Sequence, residues 1–220
     1  REQEGKDGRN PCTRLYLEQM GEFYRAGAPF DWYLVEDIDA VLSRNYKTVV
    51  FLDCQYLTDE HYSKIMQLKG NGRSLVWFHA PGYASQTGLS ASRMKALCGF
   101  DYGTTNIAAQ DFGNYYGVFS PGAGLSSSRL RDIYRRSGVH IYTDSDVVLS
   151  CNRSWLMLHT AQGTNCTVRL PEKVSRVFEI TTETTVAENA DTFTWKLPDR
   201  STAIFLLESY NSKVKEGAAK

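Results

Sequence analysis

The stretch "KTVVFLDCQYLTDEHYSKIMQLKGNGRSLVWFHAPGY", residues 47–83, decides the fold. It opens with an almost continuous apolar run, which is typical of a strand buried on both faces of a parallel sheet. A helical segment follows, with Thr58 placed to cap it and two acidic residues in its first turn. "GNG" at 70–72 ends this helix, and a second apolar run begins at once. The order strand–helix–strand predicts a crossover between parallel strands.

The sequence on either side of this stretch extends the α/β pattern. Apolar residues at helical spacing, capping serines and glycine stops mark the other elements. They predict a helix over 12–26, a strand over 30–38, a helix over 89–99, an irregular segment with a short strand or two over 100–124, and a helix capped by Ser126 or Ser127 that ends at Gly138.

The pattern changes after Gly138, where short β-rich runs recur every 8 to 12 residues or so and indicate a small antiparallel sandwich. We therefore predict a linker over 1–11, an α/β domain over 12–138, a β-sandwich domain over 139–209 and a disordered tail over 210–220. A doubly wound domain usually opens with a strand, whereas this chain opens with a helix. We expect the chain to be part of a longer protein.

The amino-acid composition argues against two classes of binding partner. Lysine plus arginine equals aspartate plus glutamate at 25 each, so the basic excess of a nucleic-acid or anionic-membrane partner is absent. No apolar run approaches the roughly 18 residues of a membrane span, and the polar N-terminus is unlike a signal peptide. The five cysteines lack the spacing of a zinc site. We expect a soluble protein, cytoplasmic or exported with its signal outside this sequence, without metal or cofactor.

The order of motifs resembles a known family. "RAGAPFDWYLVEDIDAVLSRNYKTVVFLDCQYLTDEHYSKIMQLKGNGRSLVWFHAPGY" is similar to the amidotransferase-like domain of family 42 β-galactosidases, there called the trimerisation domain. "SGVHIYTDSDVVLSCNRSWLMLHT", "TVRLP" and "FTWKLPDRSTAIFLLE" resemble the C-terminal β-sandwich of such enzymes. The resemblance covers roughly residues 12–208 and is clearest over 30–83 and 138–208.

This resemblance implies a fold and a role. The fold would be a flavodoxin-like, class I glutamine amidotransferase-like parallel sheet followed by a small antiparallel β-sandwich. In the family the catalytic carboxylates lie in a preceding TIM barrel, which needs about 250 residues by itself. The resemblance therefore implies an accessory region whose partners are the barrel of a longer chain and, as a trimer, further copies of itself.

His79 marks the position at which the related amidotransferases carry a nucleophilic cysteine. This sequence has no cysteine, serine or threonine from Val76 to Tyr83. Cys54 follows the preceding strand and is placed to approach His79 across the sheet, with Asp53 beside it. A Cys54–His79 dyad is one hypothesis, because a thiolate beside a base is a nucleophile. The other is that the nucleophile position is vacant and Cys54 is an ordinary buried thiol.

Other candidate residues are acidic or aromatic. Glu36, Asp37 and Asp53 are expected at the same sheet edge as His79, as ligands of a metal or sugar or simply as solvated and capping groups. Tyr102, Tyr115 and Tyr116 lie in the glycine-rich segment 100–124, where exposed rings would stack on a carbohydrate, line a neighbouring active site, form a subunit contact or close the sheet edge. We expect Trp32 and Trp77 in the core.

Three hypotheses about function remain. The first is a non-catalytic accessory and oligomerisation region of a β-galactosidase-like glycoside hydrolase. The second is an independent amidotransferase or peptidase-superfamily enzyme that uses Cys54 and His79. The third is a carbohydrate-binding module, which requires at least two coplanar exposed rings from residues 100–119.

Overall fold

The computed structural model describes residues 11–209 of the chain. Its contacts divide the chain into two units. The first contains residues up to Met20 together with Asp31–Val139, and the second contains Gly21–Phe30 and the residues from His140 onward. The predicted linker (except Pro11, which begins a helix) and the predicted tail lie outside the described residues. The sequence did not indicate that Gly21–Phe30 joins the second unit.

The first unit alternates helices and strands, as the sequence predicts, although the last four residues of its first helix, Gly21–Tyr24, are assigned to the second unit. In chain order the elements are α1 (Pro11–Tyr24), a 3-10 helix (Val35–Asp37), α2 (Ile38–Ser43), β1 (Thr48–Phe51), α3 (Asp59–Met66), β2 (Ser74–Phe78), β3 (Ala84–Ser85), β4 (Gly88–Leu89), α4 (Ala91–Cys98), β5 (Ala108–Asp111), β6 (Tyr116–Ser120) and α5 (Ser127–Arg136). The caps confirm the predicted helix starts, since the side chains of Thr58 and Ser126 each accept a backbone N–H from three residues ahead.

A four-stranded sheet in the order β1-β2-β6-β5 forms the centre of this unit. β1, β2 and β6 are parallel, and β5 pairs antiparallel with β6 at one edge. Phe51 of β1 lies opposite Trp77 of β2, and their rings stack with centroids 4.3 Å apart. The mostly parallel α/β sheet predicted from the two apolar runs is confirmed.

Both faces of β2 are covered, which explains why all five of its residues are buried. Leu75 and Trp77 face a core that also contains residues of α2, α3 and α4. Residues of the other parity point to the opposite face, where the Ser74 hydroxyl donates to the Ile133 carbonyl of α5 at 3.3 Å. A near-continuous apolar strand is the expected sequence for this position.

The strand predicted over 30–38 is wrong. The segment is irregular up to Leu34 and then forms the 3-10 helix and α2. Tyr33 and Val35 pack against the core, whereas Trp32 is 47% exposed and Leu34 is 71% exposed. Among the described residues, however, no strand pairs with this segment. Trp32 is therefore not a core residue, whereas Trp77 is fully buried as predicted.

The second unit is built on an antiparallel sheet in the order β10-β9-β11-β8-β7. The strands are β7 (Val148–Cys151), β8 (Trp155–Thr160), β9 (Thr164–Glu179), β10 (Thr184–Leu197) and β11 (Ser201–Glu208). All five contribute to one hydrophobic cluster, which includes Leu149, Leu158, Val168, Phe193 and Phe205. The predicted antiparallel β structure is confirmed, with the five strands hydrogen-bonded into a single sheet.

Two details of this unit differ from the prediction. β9 and β10 are each one long strand where the sequence suggested two short ones, because Pro171 and Asp191 lie at a register shift within the pair rather than in turns. Residues 138–143 form no strand, although Tyr142 donates its N–H to the Gly27 carbonyl at 2.8 Å and accepts from Arg169 at 2.7 Å.

The turn between β9 and β10 is held by a buried carboxylate. Glu179 accepts the N–H and the hydroxyl of Thr182, each at 2.7 Å, and the N–H of Ile204 at 3.2 Å. Burial would raise the pKa of Glu179, but these hydrogen bonds outweigh it and the pKa is lowered. The carboxylate is ionised and fixes the turn to β11.

Candidate functional site

His79 occupies a sharp turn at the carboxyl end of β2. Its φ is +63°, a left-handed conformation that is uncommon and unfavourable for a residue with a Cβ. Its N–H donates to the Ser120 carbonyl at 2.9 Å and so continues the β2–β6 ladder, while its side chain is exposed. Catalytic nucleophiles are found in such strained strand-end turns, and here the position holds an imidazole.

The His79 side chain contacts the amide of Gln55, a residue that the sequence pattern does not indicate. Gln55 Nε2 lies 2.9 Å from Nδ1 of His79 and donates to Oδ1 of Asp53 at 3.0 Å. Asp53, Gln55 and His79 therefore form one hydrogen-bonded chain at the edge of the sheet. Nothing in the spacing of these residues predicts Gln55, because its contact depends on how the turn after β2 folds back over β1.

Cys54 lies at this edge without the activation that a nucleophile requires. Burial, with smaller contributions from the negative charges of Asp53 and Glu36, raises the pKa of its thiol to about 12. No hydrogen bond between Cys54 and His79 occurs among the described residues. A thiol with this pKa is protonated at neutral pH, and the thiolate is the reactive form.

The predicted acidic residues separate into two groups. Glu36 and Asp53 lie close enough to Cys54 to affect its pKa. Asp37 instead accepts the N–H of Leu34 at 3.4 Å and stabilises the start of the 3-10 helix. Within residues 11–209, no group of three or more histidine, cysteine or acidic side chains is arranged to hold a metal ion.

The three predicted tyrosines differ in their exposure to solvent. Tyr102 is 54% exposed. Its ring stacks on Tyr83, with centroids 4.2 Å apart and an angle of 5° between the planes. Tyr83 lies 19 residues earlier in the chain, so no local sequence pattern could have paired the two rings.

Tyr115 and Tyr116 are not exposed stacking surfaces, in contrast to the prediction. Tyr115 is buried in the core and stacks on Phe112, with centroids 4.7 Å apart. The guanidinium of Arg136 lies 4.2 Å from the centre of the Tyr116 ring and covers it. Segment 100–119 therefore supplies Tyr102, and the ring coplanar with it comes from outside that segment.

An exposed apolar patch lies elsewhere in the first unit. The rings of Tyr16 and Trp32 contact each other with centroids 5.7 Å apart. Both rings are about half exposed, and so is Leu17, which follows Tyr16 in α1, while Leu34, two residues after Trp32, is more exposed still. We call these four residues the Trp32 patch. Large apolar groups gathered at a surface are typical of a protein contact.

Comparisons with known proteins give matches among solved structures. No protein-family model matches the chain, and no curated protein matches it. The chain is similar to the β-galactosidase from Bacillus circulans sp. alkalophilus, with a TM-score of 0.62 and 12% identity over 89% of this chain and 37% of that chain. It is also similar to the β-galactosidase of the haloarchaeon Halorubrum lacusprofundi, with a TM-score of 0.60 and 12% identity over 88% of this chain and 35% of that chain.

A third similar structure is a catalytic mutant of Gan42B, a GH42 β-galactosidase from G. stearothermophilus. The TM-score is 0.54 and the identity 13%, over 88% of this chain and 36% of that chain. Similarity at these identities shows a shared fold. The chain spans a little over a third of the length of these solved chains.

No helix among the described residues is long and apolar enough to cross a bilayer.

Proposed function

We propose that this chain is a non-catalytic accessory region of a longer, β-galactosidase-like glycoside hydrolase. The observation that carries the proposal is the extent of the fold similarity. Nearly nine-tenths of this chain superposes on little more than a third of each β-galactosidase chain. An accessory region of a larger enzyme would give this pattern of coverage.

In this proposal the first unit is a flavodoxin-like, class I amidotransferase-like domain, and the second, with its five-stranded antiparallel sheet, is the counterpart of the small C-terminal β-sandwich of such enzymes. His79 occupies the vacant nucleophile position. The pKa of the Cys54 thiol, about 12, supports this assignment, because an amidotransferase or peptidase would need a thiolate at neutral pH. In that case the strained turn is a feature of the fold that no longer carries a nucleophile.

The partners in this proposal are a catalytic barrel of the same longer chain and further copies of the chain, as a trimer. The Trp32 patch supports a contact of this kind, since tryptophan and tyrosine side chains at the centre of an interface often contribute much of its binding energy. Leu34 is the most exposed member of the patch, at 71%.

Two measurements on the purified chain test the proposal. Hydrolysis of a nitrophenyl β-galactoside is expected to equal the buffer blank. Hydrolysis that co-purifies with the chain and is lost in Cys54→Ser or His79→Ala would overturn the accessory role.

Sedimentation velocity tests the oligomer separately. We expect trimers, weakened by Leu34→Asp and unchanged by Leu206→Asp, a matched change at an exposed leucine of β11. A chain that is monomeric at every concentration contradicts the oligomer.

A further inference from the structure

The ring of Tyr102 is held flat at the surface of the first unit. It stacks on Tyr83, with the two ring planes almost parallel. Tyr83 packs against the core on its other side, so Tyr102 is the outer layer of this tyrosine stack. A ring that is already ordered loses little conformational entropy when a ligand binds to its exposed face.

The segment that carries the polar side chains is hydrogen-bonded through its backbone to the segment that carries Tyr83. The Gln55 carbonyl accepts the N–H of Ala84 at 2.9 Å, which places the Cα atoms of Gln55 and Tyr83 within about 8 Å of each other. Gln55 in turn contacts Asp53 and His79. Those contacts use Oδ1 of Asp53 and Nδ1 of His79, which leaves Oδ2 and Nε2 to solvent or to a ligand.

The charges around the stack favour a neutral ligand. Lys95 is paired with Asp101, which precedes Tyr102, at 2.8 Å. Arg93 is paired with Asp59 at 2.9 Å. Asp53 has no cationic partner in the part of the chain that the structure describes. An anionic ligand would therefore meet a net negative surface, with both nearby cations already neutralised.

We propose that the Tyr102 face and the Asp53–Gln55–His79 chain form a binding site for a neutral saccharide. A pyranose ring presents a flat face of C–H groups that packs on an aromatic ring. Its hydroxyls both donate and accept, so they match a carboxylate, an amide and an imidazole. This inference goes beyond the accessory role, because it holds whether or not the chain packs against a catalytic barrel.

Saturation-transfer NMR with lactose and with galacturonic acid tests the site on the purified chain. We expect lactose to bind and galacturonic acid to bind more weakly. Tyr102→Ala should weaken lactose binding by about tenfold, since it removes the stacking surface. Tyr102→Phe keeps that surface and should bind as the native chain does. Tyr16→Ala is the matched control, because it removes an equally exposed ring from the Trp32 patch.

Asp53→Asn tests the charge argument and should reduce the preference for lactose over galacturonic acid. Circular dichroism of each variant establishes that the fold is intact. Absence of lactose binding to the native chain would overturn the proposal. So would equal binding by Tyr102→Ala, or tighter binding of galacturonic acid. Self-association that depends on Tyr102 in sedimentation velocity would identify the face as a protein contact instead and would also overturn it.

Discussion

The carboxyl edge of the parallel sheet and the turn between β9 and β10 differ in how well their polar groups are hydrogen-bonded. At the edge, His79 has an unfavourable φ and an exposed ring, and the buried indole N–H of Trp77 has no hydrogen-bond partner among the described residues. In the β9–β10 turn, Glu179 is buried and accepts hydrogen bonds from Thr182 in the turn and from Ile204 of β11.

This contrast separates groups that specify the fold from groups that do not. A buried carboxylate with matched donors fixes one arrangement of the chain. A strained and exposed histidine makes the fold less stable, and departures of this kind concentrate at functional sites or their remnants. Substitutions in the second unit are therefore expected to lower stability, while relief of strain at the sheet edge is expected to raise it.

The largest effect is expected for Gly27→Ala. Gly27 has a φ of +74°, and an added Cβ would overlap the Thr143 carbonyl oxygen. The loss of unfolding free energy should be about 3 kcal/mol, from steric overlap and strain together. Urea unfolding measures it. Gly72→Ala is the control, since its φ is +68° and no atom lies within 4 Å of the added Cβ. Equal losses at both glycines would show that Gly27 is not packed against Thr143.

The next effect is expected for Glu179→Ala. The change leaves the N–H groups of Thr182 and Ile204 without their acceptor, so we expect a loss of roughly 2 kcal/mol. Glu172→Ala removes an exposed glutamate from the same strand and should change stability by less than about 0.5 kcal/mol. Similar urea midpoints for the two variants would contradict the structural role of Glu179.

The contribution of Glu179 should depend on pH. Its pKa is lowered in the folded chain, so its stabilisation is complete above the unfolded value of about 4.3 and is lost as pH falls through the folded value. The stability difference between the native chain and Glu179→Gln should shrink from pH 7 to about pH 3. A difference that stays constant on acidification would show that the charge does not matter.

A smaller effect, of opposite sign, is expected at the edge. His79→Gly and His79→Ala both remove the contact with Gln55, so they differ mainly in tolerance of the φ of +63°. Gly should be more stable than Ala by about 1 kcal/mol. If alanine is at least as stable as glycine at this position, the left-handed turn is absent.

The central α/β pattern could be predicted because its sequence signals are local. β1 and β2 are apolar runs that the core requires, and Thr58 caps α3 by a bond to the backbone three residues ahead. The strand prediction over 30–38 was wrong for a physical reason. Its apolar residues are partly exposed, and apolar sequence alone does not distinguish a buried strand from a surface patch.

The candidate site was less predictable, because its contacts join residues far apart in sequence. Cys54, Asp53 and His79 were found from their positions after strands. Gln55 and Tyr83 were not, since the first depends on a turn folding back and the second on a loop 19 residues away.

The reactivity of Cys54 tests most directly whether the sheet edge is catalytically inert. Iodoacetamide labelling of the Cys54 peptide, followed by mass spectrometry across pH in the native chain and in His79→Ala, measures its thiolate fraction. With a pKa of about 12, labelling should still be rising at about pH 10 and should be the same in both proteins. A plateau below about pH 8 that moves upward in His79→Ala would reveal an activated dyad and contradict the accessory role.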